Sequence, residues 1–131
     1  MNGRPKHVLL VEDNDDNAFV YLAVLEFSGY VVTRARDGFE AVDLARKVAP
    51  DLIVMDIALP KLDGWEATAA IKQNPQLQAI PVIAVTAHAF DADMQRGLAL
   101  GFQAYLPKPV EPRRVLAEVE RLIGPAAITA A

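Results

Sequence analysis

Residues 51–64, DLIVMDIALPKLDG, decide how the rest of this chain is read. The stretch opens with a continuous apolar run, Leu52-Ile53-Val54-Met55, of the length and branching expected of a strand buried on both faces. The run stops at one carboxylate, Asp56, and Pro60 and Gly64 then mark a loop before the next helix. A lone acid at the carboxyl end of a buried strand is where an open α/β sheet places its chemistry. The remaining strands must then be asked what they bring to the same edge.

Composition narrows the field. At 131 residues, with 53 % hydrophobic residues, the chain suffices for one domain with a real core. A net charge of −4 and a pI near 5.1 disfavour a nucleic-acid surface. The absence of cysteine excludes disulfides, thiol catalysis and thiolate metal sites, and two histidines are few for zinc. The N-terminal MNGRPKH has no apolar segment behind its basic residues, and no run approaches membrane-spanning length. A soluble, cytoplasmic single domain without membrane or nucleic-acid partners is expected.

Outward from the central strand, residues 7–11 (HVLLV) read as a buried strand ending at Glu12-Asp13-Asn14. Asn14 or Asp15 caps the next helix, with Ala18, Tyr21, Leu22 and Leu25 at helical spacing and Ser28-Gly29 closing it. Residues 30–35 (YVVTRA) form a more polar strand, nearer an edge. Asp37-Gly38 starts a helix with Ala41, Leu44, Ala45 and Val48 on one face, stopped by Pro50. After the central strand come a helix over 65–73, a strand over 80–86 and a weaker helix over 91–100. A short strand over 102–106 is cut by Pro107-Lys108-Pro109, and the last helix buries Val115, Leu116, Val119, Leu122 and Ile123. The expected organisation is an N-terminal extension over 1–6, one domain over 7–124 and a frayed tail over 125–131. With Met1 just before the first strand, a complete protein is the expectation. Five strands alternating with five helices predict a doubly wound five-stranded parallel sheet covered on both faces.

In such a sheet every strand's carboxyl end opens on one edge. The first brings Glu12 and Asp13, the third Asp56, the fourth Thr86 and the fifth Lys108. Singly, each reads as an ordinary exposed strand end; four strands each offering a reactive polar group do not. Three clustered carboxylates repel one another, so at least one pKa should rise unless a cation intervenes. The ligands on offer are hard oxygens, which suit Mg²⁺. Lys108 adds a point charge for a phosphoryl oxygen and Thr86 a neutral donor. Together they compose a phosphoryl-transfer site around a carboxylate nucleophile.

Glu12-Asp13, Asp56, Thr86-Ala87 and Lys108-Pro109, set in MDIALPKLDG and GFQAYLPKP, resemble the receiver domain of two-component response regulators. The resemblance spans about residues 7–123. It implies a flavodoxin-like α/β fold with strand order 2-1-3-4-5. It also implies that Asp56 accepts a phosphoryl group from a phosphohistidine on a histidine kinase or histidine phosphotransfer protein. Asp13, Asp56 and the backbone carbonyl of Ala58 would bind Mg²⁺ (Mn²⁺ being able to take its place), with Glu12 acting through a bound water. Thr86, Lys108 and the Ala87 N–H would hold the phosphoryl oxygens. Lys108-Pro109 looks like the family's cis peptide at Pro109, which aims the lysine. Tyr105 matches the switch aromatic, turning into the space that Thr86 leaves. The surface of the fourth helix, fifth strand and fifth helix would then be read by a downstream protein target. A monomer is implied, with dimerisation on activation left open.

Ala58 and His88 fall at two variable positions that in this family tune dephosphorylation, although an inert loop histidine is the plainer reading of His88. Asn17, in EDNDDN, resembles a pattern of multistep phosphorelays; a polar residue on an exposed first turn is the equal alternative. Trp65 reads as packing. No turnover of a separate substrate is expected. Three other readings stand beside the receiver. An aspartyl-phosphate phosphatase would want a second acid at Ala58, and a flavodoxin-like binder would want a phosphate loop in place of the acids after the first strand. A non-phosphorylated scaffold would have no need of the intact acids, Thr86 and Lys108.

Overall fold

β3 (Leu52–Asp56) is buried along its whole length, and that follows from its position at the middle of a five-stranded sheet. The computed structural model describes residues 5–87 and 91–126. In chain order the elements are β1 (His7–Val11), α1 (Asp15–Phe27), β2 (Val31–Ala35), α2 (Gly38–Val48) and β3. There follow α3 (Gly64–Gln73), β4 (Val82–Thr86), α4 (Asp91–Leu100), β5 (Ala104–Pro107) and α5 (Pro112–Ile123). All strand pairs are parallel and the order is β2-β1-β3-β4-β5. The more polar β2 is indeed an edge strand.

Alternating side chains divide the core in two. Val8, Leu10, Val54, Ile83, Val85 and Leu106 face α1 and α5, where Ala18, Leu25, Val115 and Val119 meet them. Leu9, Val11, Ile53, Met55, Val82 and Ala84 face the other way, toward Ala41 and Ala45 of α2 and Ala67 and Ile71 of α3. Each fully buried Leu or Ile contributes about 2 kcal/mol. The helices start where side-chain caps are available. Asn14, Asp37 and Asp63 each accept the backbone N–H three residues on, and each such cap contributes about 1 kcal/mol.

Among the boundaries that differ from the sequence expectation, three have a clear physical cause. β4 begins at Val82, after Pro81, which has no N–H to donate to a ladder. β5 begins at Ala104, because the Phe102 amide closes α4 on Gly97 O and its ring fills the second core. The chain after Gly124 stays docked at first. Ala126 is buried in the first core, Lys6 Nζ donates to the Ile123 and Pro125 carbonyls, and Tyr30 donates its hydroxyl to Gly124 O. Lys6, expected in an extension, therefore places an ammonium at the carboxyl end of α5, where the helix dipole favours it.

Candidate functional site

Strand register alone brings the polar ends together. Val11 pairs with Met55, so Glu12 and Asp56 are the next residues side by side. Asp56 pairs with Val85, which puts Thr86 one step beyond, and Thr86 pairs with Pro107, which puts Lys108 one step beyond that. The Lys108 amide donates to Thr86 O, and the Lys108–Pro109 peptide is cis. Since Leu10 and Val54 face α1 and α5, alternation turns Glu12 and Asp56 to that same side.

One carboxylate oxygen each from Glu12, Asp13 and Asp56 lies within 4.8 Å of the others; Glu12 and Asp56 are buried and Asp13 is exposed. Asp56 has a donor on each oxygen: the Ala58 N–H reaches Oδ1 at 3.0 Å and Lys108 Nζ reaches Oδ2 at 3.2 Å. Lys108 is also 3.7 Å from Glu12 Oε1. Burial pushes the Glu12 carboxyl up to about 7, and the neighbouring Asp56 adds to the rise, against the Asn14 N–H and Lys108, which lower it. Burial pulls the Lys108 ammonium down, but Asp56 and Glu12 outweigh it and leave Lys108 above its ordinary value. The cluster is thus short of positive charge. Oxygen ligands with no thiolate or imidazole among them, two of them forced together in a buried place, fit a hard dication.

Thr86 is buried beside Tyr105, whose phenol burial holds above its ordinary range, with the Thr86 side chain working against the rise. Tyr105 stands against Trp65 (ring centroids 6.2 Å apart) and Phe102 (6.3 Å), and the Arg96 guanidinium lies over the Trp65 ring at 4.3 Å. Trp65 is therefore packing, as expected, but packing that touches Tyr105. Asn17 is exposed and lines a cleft of about 420 Å³ with Tyr21, Ala87, Lys108, Pro109 and Val110. His88 lies outside the described residues.

Two contributions to this edge escape sequence reading. Arg34, in β2, sends Nε and Nη2 to the Glu12 carbonyl at 3.1 and 2.9 Å, and Nη1 to Asp15 at 2.8 Å. Hydrogen bonds from Arg34, then the charges of Arg36 and Arg34, hold the Asp15 carboxyl below its usual range. Gly64, the first residue of α3, sits so close to β3 that a Cβ there would lie 2.5 Å from the Asp56 carbonyl oxygen. A basic residue in an edge strand and a glycine after a loop carry no signal of such contacts in sequence.

Residues 8–120 match the family described as the response regulator receiver domain. The polar-differentiation response regulator DivK of Brucella anthropi is 44 % identical over 122 residues, covering 93 % of this chain and 99 % of that protein. The Vibrio cholerae chemotaxis protein CheY4 superposes with a TM-score of 0.86 at 29 % identity, over 92 % of this chain and all of that one. The receiver domain of the sensor histidine kinase PA1611 of Pseudomonas aeruginosa has a magnesium ion coordinated in its active-site cleft. It superposes with a TM-score of 0.83 at 39 % identity, over 92 % of this chain and 99 % of that one. Sheet order, the polar edge and these likenesses agree: the chain belongs to the family of response regulator receiver domains.

Proposed function

We propose that Asp56 is the phosphoryl acceptor of a Mg²⁺-dependent switch, supplied by the phosphohistidine of a histidine kinase or histidine phosphotransfer protein. The observation that carries the reading is Asp56 itself. It is a buried carboxylate with an ammonium at 3.2 Å, and Glu12 and Asp13 each bring a carboxylate oxygen within 4.8 Å of its own. Glu12, Asp13, Asp56 and the Ala58 carbonyl would hold Mg²⁺, or Mn²⁺ in its place; bound there, the ion neutralises charge that builds on the phosphoryl oxygens.

An Asp56 oxygen attacks phosphorus and the P–N bond of the donor breaks. Its electron pair stays with the imidazole, which takes up a proton, and the new P–O bond makes an acyl phosphate. Lys108 exchanges its bond to the carboxylate for one to a phosphoryl oxygen. Thr86 gives its hydroxyl to another and so moves away from Tyr105, which follows into the vacated space. The face of α4, β5 and α5 then changes for a downstream protein target. Phe19 and Phe27 of α1, 72 % and 94 % exposed, are large apolar side chains left for a protein partner rather than a small substrate. No helix among the described residues is long and apolar enough to cross a membrane, which agrees with a cytoplasmic switch.

Intact-protein mass after incubation with acetyl phosphate tests the reading, with and without Mg²⁺, on wild type and Asp56→Asn. The expected result is one added phosphoryl group that requires both Mg²⁺ and Asp56. Equal labelling of Asp56→Asn would remove Asp56 from the role, and no labelling at all would leave a non-phosphorylated scaffold.

A further inference from the structure

The β1–α1 turn carries two of the three clustered carboxylates, and it is held from outside the cluster. β1 pairs with β2 as far as Val11 and Ala35, and the Glu12 amide adds one more bond to Ala35 O. In a continuing parallel ladder the Glu12 carbonyl, on the same side of the strand, would accept from the amide of residue 37. That residue has already left the sheet, since Asp37 is the N-cap of α2. The carbonyl is left without its ladder partner at the point where the acidic turn begins.

Arg34 makes good the loss. Its Nε and Nη2 both donate to the Glu12 carbonyl, at 3.1 and 2.9 Å, while Nη1 grips Asp15, the first residue of α1, at 2.8 Å. Arg36 Nη1 meets the same Asp15 oxygen at 2.9 Å. The Arg34 side chain is only 15 % exposed, so the fork is packed in place. One planar guanidinium thus ties the residue before Asp13 to the residue two after it. A lysine could not reach both, because an ammonium lacks the fixed fork.

We propose that Arg34 is a positioning residue for the divalent-cation site: it fixes the Glu12–Asp13 turn so that both carboxylates face Asp56 before the ion arrives. The inference rests on reading Glu12, Asp13 and Asp56 as that site. Groups that orient metal ligands without touching the metal typically change its affinity 10- to 100-fold. The sign of the effect separates positioning from plain electrostatics. Arg34 is a cation close to the site, so by charge alone its removal would strengthen Mg²⁺ binding. Loss of positioning weakens it.

The test is calorimetric titration of Mg²⁺ into metal-free wild type, Arg34→Gln and Arg34→Lys, each checked for folding by circular dichroism. Amide hydrogen exchange over residues 12–14 of the metal-free proteins is read in parallel. We expect Mg²⁺ affinity to fall about tenfold in both variants, with faster exchange in the turn. Arg34→Lys keeps the charge on an edge strand and serves if Arg34→Gln fails to fold. Unchanged or tighter binding in folded Arg34→Gln would overturn the proposal, and so would wild-type affinity in Arg34→Lys, which would leave charge alone. If the wild type itself binds no Mg²⁺, the metal reading falls and this inference with it; a failure confined to the variants touches only Arg34.

Discussion

Glu12 is 2 % exposed, lies beside Asp56 and has one ammonium at 3.7 Å, and that combination gives the metal-free site a pH dependence of definite sign. Its carboxyl titrates at about 7 in the fold against 4.5 as a free side chain. Between those values the folded state holds a proton that the unfolded chain has lost, so stability falls as pH rises through the window. At about 1.4 kcal/mol per unit the full penalty is at most about 3.5 kcal/mol, reached above the folded value and absent below pH ~4.5. Glu12→Gln should therefore be more stable than wild type at pH 8 in chelator, with the difference closing toward pH 4.5. Thermal unfolding at a series of pH values measures it. Equal melting temperatures at pH 8 would mean that Lys108 already compensates the buried charge.

At the scale of the element, α3 carries one residue that costs stability and one that protects the site. Thr68 is fully buried, and its hydroxyl is the one buried side-chain polar atom among the described residues without a hydrogen-bond partner. A stranded buried hydroxyl costs about 1–3 kcal/mol, and valine has nearly the same shape. Thr68→Val should raise the melting temperature by about 3 °C; no gain would point to a partner for the hydroxyl. Gly64 is the opposite case. An added Cβ would meet the Asp56 oxygen at 2.5 Å and Ile57 Cα at 2.7 Å, both backbone atoms that cannot swing aside. Gly64→Ala should cost about 1–3 kcal/mol and slow labelling of Asp56 by displacing its strand end. Full stability with unaltered labelling would show that the loop absorbs the methyl group.

The elements themselves were legible because both core-facing patterns, continuous apolar runs and helical spacing, are local. Asp56, Glu12, Thr86 and Lys108 were legible because each ends such a run. What stayed hidden closes over long sequence distances: the Arg34 fork to Glu12, Gly64 against β3, Lys6 on the end of α5. α1 is legible from its inward stripe of Ala18, Tyr21, Leu22 and Leu25, of which Leu22 is only partly buried. Its outward Phe19 and Phe27 break the polar pattern of a solvent face, and the spacing does not place them, since an apolar residue in sequence does not say which side it takes.

Across the whole molecule, the proposed switch has the phosphoryl group arrive on one face of the sheet and Tyr105 respond on the other. Glu12 and Asp56 turn toward α1 and α5, whereas Thr86 lies beside Tyr105, which packs against the core on the opposite face. In that reading β4, which ends in Thr86, is the element that would pass a change at the site through the sheet. Tyr105 stands against Trp65, the chain's single tryptophan, and Trp65 in turn lies under Arg96 of α4. A Tyr105 that follows Thr86 must alter the surroundings of that indole, and α4 shares the change because the indole–guanidinium stack ties it to α3. Tryptophan emission should therefore shift on addition of acetyl phosphate and Mg²⁺, in step with the gain of mass, and should not shift in Asp56→Asn. In Lys108→Ala, whatever phosphoryl group is accepted loses its cationic tether, so labelling should proceed with little change of emission. A labelled wild type with unaltered emission would break the proposed route at Tyr105. A labelled Lys108→Ala with the full shift would place the coupling in Thr86 alone.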